Sequence, residues 1–193
     1  MDRLVRLPVG AAGAYVSEAE QLQVTLGHGP CVTSAELGRP LLSSEADLAR
    51  RWPLYHAALV RRTPFRSTLS LPLARADGHV FAALDAYSTD SVLRLTDPLE
   101  AVSSDLGEIV AMLLLGALSE DKHLLTWPPT DELRQRQQVW VAVGMVLEAA
   151  SVTDLDALAI LRGYAFRTDQ LLDVVVQQLV SGRLTTATVL QGV

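Results

Sequence analysis

Cys31 is the only cysteine in the 193-residue chain, and it follows Gly29-Pro30. One thiol per chain rules out an intramolecular disulfide and a thiolate metal cluster. After a Gly-Pro turn it could serve as a redox or ligand-contacting thiol. Nothing in the sequence around it marks a reactive thiolate, and a small buried hydrophobe is the expected role. His28, His56, His79 and His123 are scattered without metal-ligand spacing, and no HExxH or paired CxxC occurs. There is no GxSxG to frame a nucleophile, and no GxGxxG or Gly-Lys-Ser/Thr loop to cradle phosphate. No catalytic residue, metal or cofactor is therefore expected. Two charged groupings remain. Arg50, Arg51, Arg61, Arg62 and Arg66 interleave with Trp52, Tyr55, His56 and Phe65. They could meet phosphate or an acidic surface, although the solvated face of one helix and its following loop gives the same pattern. Further on, Arg162 and Arg167 bracket Tyr164 and Phe166, placing two cations beside two aromatic rings.

The elements that must position these groups are set by a chain that can bury a core. It is 49% apolar, with a mean hydropathy of +0.24, which argues against disorder. Its formal charge of −6 argues against broad affinity for nucleic acid or anionic membrane. The longest apolar run, Ile109 to Leu118, has ten residues, whereas a bilayer span takes about 20. A buried helix is the expectation, with no membrane association. The apolar run after Arg3 and Arg6 is short and broken by glycine, unlike a signal peptide. With a single thiol, a cytoplasmic setting is expected.

Glycine and proline crowd the first 40 residues, which give no clear element. Residues 44–62 are helix-like, with Trp52-Pro53 at a boundary and Leu54, Ala57, Ala58 and Val60 expected on a buried face. Leu69, Leu71 and Leu73 then share a face at period two. Asp77-Gly78 follows as a turn before 79–87, which predicts a hairpin with Pro72 pushing its strand to an edge or a bulge. Asp97-Pro98-Leu99-Glu100 opens a helix running to about Leu118. After a proline-containing linker, a helix is predicted from Asp131 to Ala149 or Ala150, with Val139, Ala142, Val143, Val146 and Leu147 near one face. Thr153 to Asp156 caps a second helix with an inner stripe of Leu158, Leu161, Tyr164 and Ala165. Thr168-Asp169 is expected to start a third, burying Leu171, Leu172, Val175 and Leu179 and stopping at Gly182.

Two blocks resemble known families. Leu26-Gly27-His28-Gly29-Pro30-Cys31, Arg51-Trp52-Pro53, Arg66 to Leu73 and the hairpin through Leu84-Asp85-Ala86-Tyr87 resemble the GAF domain of actinobacterial regulators. Ala142-Val143-Gly144-Met145, Asp156-Ala157, Leu161-Arg162, Ala165 and Leu172-Asp173-Val174 resemble the ANTAR domain, a three-helix RNA-binding output module. The resemblance implies a cytoplasmic homodimer in which a GAF part senses a small molecule or mediates assembly. Its ANTAR part would bind paired hairpins in nascent RNA and oppose transcription termination. Gly27, Gly29, Pro30, Cys31 and Trp52 are the sensor-motif residues it marks. The sequence departs from the family in lacking a long N-terminal helix and full first strands before the Gly-Pro-Cys segment. Val143 stands where a basic residue is common, and Val175 replaces a small alanine.

Within residues 131–193 there are five arginines, no lysine and seven acids, whereas phosphate contacts normally come from Lys and Arg. Arg162 and Arg167 are the best RNA candidates, with Tyr164 as a stacking ring; Arg136 and Arg134 are less well placed. In the bland alternative, Tyr164 or Phe166 packs in the small core and the arginines are ordinary solvated residues. The expected fold is α+β: a GAF-like antiparallel sheet flanked by helices (residues 1–120), a linker (121–130) and a small three-helix ANTAR-like domain (131–193). The expected function is signal-responsive RNA binding in transcription antitermination. The alternative is a sensory or protein-interaction protein whose ANTAR-like domain does not bind RNA.

Overall fold

The computed structural model describes residues 11–74, 78–99, 101–107, 110 and 131–192, with side chains from Gln137 onward in the last stretch. In chain order the elements are α1 (Val16–Leu26), α2 (Pro30–Leu37), β1 (Leu41–Ser43), α3 (Glu45–Arg51), α4 (Pro53–Arg62), β2 (Ser67–Ala74), β3 (Val80–Ser88), α5 (Asp131–Ala150), α6 (Asp154–Arg167), α7 (Leu172–Val180) and α8 (Thr186–Gln191). They form two compact units. One is His28–Trp127; the other combines Asp2–Gly27 with Pro128–Val193.

The sheet unit is mixed α and β, and among the described residues its sheet has three antiparallel strands in the order β1-β2-β3. Gly29 is extended and Pro30 occupies the first turn of α2, where its missing N–H removes nothing from the helix ladder. Ser44 starts α3 with a capping box: its hydroxyl accepts from the Asp47 amide at 3.2 Å, and its own amide donates to the Asp47 carboxylate at 3.3 Å. Trp52 closes α3 and Pro53 opens α4. The buried face of α4 is Tyr55 and Leu59, whereas Leu54 points outward at 58% exposure. The expected Leu54–Ala57–Ala58 face gives way because the Tyr55 ring buries far more area than an alanine does.

The predicted hairpin is present, and Leu69, Leu71 and Leu73 are all buried. Gly78 takes a φ of +80°, in the left-handed region that a turn needs. Pro72 lies in the central strand rather than on an outer one. β1 begins at Leu41 opposite Ser70, so among the described residues the strand is paired at Pro72 to β3 alone. The pairing then slips between Leu73 and Ala74, the bulge that the proline led us to expect. The Ala101 and Val102 amides both reach the Pro98 carbonyl, and 101–107 are helical. The Met112–Leu115 run and the linker at 121–130 lie outside the described residues.

The helical unit buries one continuous core from α5 (Val139, Ala142, Val143, Val146), α6 (Ala157, Leu158, Leu161, Tyr164, Ala165), α7 (Leu172, Val175, Val176, Leu179) and Val189 of α8. Each fully buried Leu or Val contributes about 1.5–3 kcal/mol, which short helices need because each is marginal alone. Leu147 falls at the edge of the α5 stripe and is 38% exposed, contrary to expectation. Thr153 and Asp156 form the predicted capping box. Thr168-Asp169 does not start α7. Thr168 closes α6, its hydroxyl donating to the Tyr164 carbonyl at 2.8 Å, and Asp169 has a positive φ of 54°. Among the described residues the fifth helix of the unit is α1, from a segment with no predicted element, and Val24 packs against the core.

Candidate functional site

Side chains alternate across a strand, and directly paired residues of antiparallel strands share a face. The pairs Ser43 with Thr68, Ser70 with Asp85 and Thr68 with Tyr87 therefore put these five residues on one side of the sheet, with the leucines of β2 on the other. Helix α2 lies over that polar face. Its Ser34 hydroxyl donates to the Ser70 carbonyl at 3.0 Å, and the Cys31 sulfur is within 4.8 Å of an Asp85 carboxylate oxygen. The hydroxyls of Ser43, Thr68 and Ser70 are buried and meet no hydrogen-bond partner among the described residues. Leaving such a group unsatisfied costs about 1–3 kcal/mol, and three of them lie together on this face. Tyr87 donates its hydroxyl to Asp85 at 3.4 Å and stacks on Phe65, with ring centroids 5.0 Å apart.

Of the sensor-motif residues, Gly29, Pro30 and Cys31 begin α2, and Cys31 is buried. Trp52 is buried too, with its ring 6.4 Å from that of His28 and the Arg51 guanidinium 4.2 Å above it. The basic grouping around it is largely engaged: Arg50 pairs with Asp47 at 2.7 Å, and Arg66 donates to the Phe65 carbonyl at 2.7 Å. Gly27 belongs to the helical unit, where it meets one of the RNA candidates. The Arg162 Nε donates to the Val24 carbonyl at 3.0 Å, and its guanidinium lies against Gly27. Arg167 lies over the Tyr164 ring at 5.2 Å and closes on Gly192. Tyr164 is in the core, and Phe166 is the exposed ring at 53%. Val143 is a core residue at 3% exposure, so no phosphate contact comes from that position. The Arg136 and Arg134 side chains lie outside the described set.

The GAF domain family matches residues 2–114, more than half of the chain. The chain belongs to that family. No curated protein and no solved structure matches it. The GAF match takes in the Gly27–Cys31 segment, Trp52, the three strands and α1, although α1 packs with the C-terminal helices. It ends before α5. Among the described residues, no helix is long and apolar enough to cross a membrane. Of the polar face of this GAF domain, Thr68, Ser70 and Asp85 lie in the blocks that resemble the family, but neither they nor Ser43 were expected as site residues. The signal was there in Thr68 and Ser70, which alternate with the buried leucines; an α2 lid rather than water over that face is what the sequence did not disclose. Val24 and Thr25, which engage the helical unit, carried no comparable signal.

Proposed function

We propose that this protein is a signal-responsive regulator. Its GAF domain takes a small polar molecule against the hydroxyl-bearing face of the sheet, and its helical unit binds RNA in transcription antitermination as part of a homodimer. The sensing half rests on one observation: Ser43, Thr68 and Ser70 hold buried, unpartnered hydroxyls on the face that α2 covers. Screening metabolites for a rise in melting temperature tests it. A ligand is expected to stabilise the wild-type protein and to lose that effect in Thr68→Val/Ser70→Ala. If no polar metabolite shifts the wild type, the sensing half fails.

The RNA half is supported by the family-like pattern in α5 to α7 and by Arg162 and Arg167, which bracket Phe166 in the sequence of α6, where the Phe166 ring is exposed. Stacking then falls to Phe166, since Tyr164 is buried. Transcriptome RNAs selected on the full chain at about 0.15 M salt should be enriched in paired short hairpins. The enrichment should disappear in Arg162→Ala/Arg167→Ala. Absence of enrichment, both in the wild type and in a variant with α1 released, sinks this half.

A second reading is a sensory protein whose helical unit binds protein instead. The exposed Trp140 and Val141 on α5 and the core position of Val143 favour it. Under that reading, Trp140→Ala abolishes partner binding and no RNA is retained.

A further inference from the structure

We propose that α1 is a displaceable strap on the helical unit, one that holds Arg162 closed and keeps it from RNA until α1 leaves. The inference rests on the RNA reading above and names how that site is regulated. Three observations carry it.

The first is the mismatch between kinship and packing. α1 falls inside the GAF match, yet it packs against α6 and α7.

The second is the chemistry of the contact at Arg162. The last turn of α1 contains no basic residue, so its carbonyl end carries uncompensated partial negative charge. Arg162 supplies the missing cation from α6, donating from Nε to the Val24 carbonyl at 3.0 Å. A charge-assisted bond of this kind is the same interaction that a phosphate oxygen would make. The α1 carbonyl end and a phosphate therefore compete for one guanidinium.

The third is the contact at α7. Its N-cap position, Leu171, offers no side-chain acceptor. The Leu172 amide donates instead to the Thr25 hydroxyl at 2.9 Å, and that hydroxyl donates back to the Gln21 carbonyl at 2.7 Å. Two polar clasps thus fix the end of α1 across two helices. A helix of 11 residues is marginal on its own in water, so undocking and fraying of α1 are coupled. The clasped residues, Val24 and Thr25, lie four and three positions before His28, where the sheet unit begins.

The test uses the full chain and a fluorescein-labelled RNA carrying two short hairpins in tandem. In Thr25→Val/Gly27→Ala both clasps are weakened. When a binding-competent state is rare, the apparent dissociation constant rises by the inverse of its fraction, so release should tighten binding about tenfold. Adding Arg162→Ala to the released variant should remove that gain. If the wild type binds measurably and the released variant binds no better, α1 is not a strap while the RNA reading stands. If neither binds, the RNA reading fails and the strap fails with it. Should the variant not fold, amide exchange in the wild type decides the matter. RNA binding must then deprotect the Leu172 amide, and continued protection in the RNA-bound protein overturns the proposal.

Discussion

At Gly27 two demands fall on one residue. Its φ of +66° lies in the left-handed region, and a Cβ there would stand 2.7 Å from an Arg162 guanidinium nitrogen. Left-handed backbone alone costs a non-glycine residue roughly 1–2 kcal/mol, so Gly27→Ala should destabilise the protein by at least that much in urea unfolding. Gly78, with a φ of +80° and no atom of the described residues within 4 Å of where a Cβ would stand, provides the backbone-only control. A loss at Gly27 no greater than at Gly78 would show that Arg162 swings aside at no cost. Asp47 gives a second residue-scale prediction. The Ser44 hydroxyl, donating at 2.7 Å, holds the Asp47 carboxyl below its ordinary value of 3.8, outweighing the opposite push of desolvation; the Ser44 amide and the nearby Arg50 and Arg51 add to the lowering. A depressed folded pKa means stability that is present above the unfolded value and lost as pH falls through the folded one. Melting temperatures of wild type and Asp47→Asn should therefore converge as the pH drops below about 4. A gap that persists undiminished in acid would show that the charge is not what stabilises the cap.

Helix ends divide the elements that the sequence disclosed from those it concealed. Ser44 with Asp47 and Thr153 with Asp156 are local caps, with donor and acceptor three residues apart, and Thr153 could be read directly. Thr153→Ala should cost about 0.5–2 kcal/mol, measured as a shift of the urea midpoint at constant slope; a neutral result would mean that packing alone fixes the start of α6. The start of α7 could not be read in this way. Its partner, Thr25, is 147 residues away in the chain, and Thr168-Asp169 offered a plausible local cap that the backbone uses to end α6. Helix α1 was hidden by its own residues. Leu22, Val24 and Leu26 alternate with polar neighbours, which is the period of a strand, and glycines surround the segment. The hairpin was legible because period two and an Asp-Gly turn agree over many residues. The polar face of the sheet was not, because alternation tells which residues share a side and not what covers it.

Packing and family kinship assign α1 differently, and that conflict makes the molecule's organisation testable. The sequence divides the chain in order, with a sensor up to residue 120 and an output module from 131. Packing instead draws the helical unit from residues 2–27 and 128–193 together. Composition and periodicity see only neighbours in sequence, so a unit closed by residues more than a hundred positions apart leaves no mark on either. A chain beginning at His28 should therefore lose amide protection in α6 and α7, above all at Leu172. The β2–β3 hairpin, with its ladder intact, should keep its protection. The two lost hydrogen bonds, one to a charged donor and one to a buried amide, together contribute about 2–4 kcal/mol. The change should therefore appear as an exchange rate faster by more than a factor of ten. Protection lost from the hairpin and kept in α6 and α7 would assign α1 to the sheet unit and remove the strap as a physical possibility. Loss confined to α6 and α7 would show that α1, although inside the GAF match, is a structural part of the helical unit.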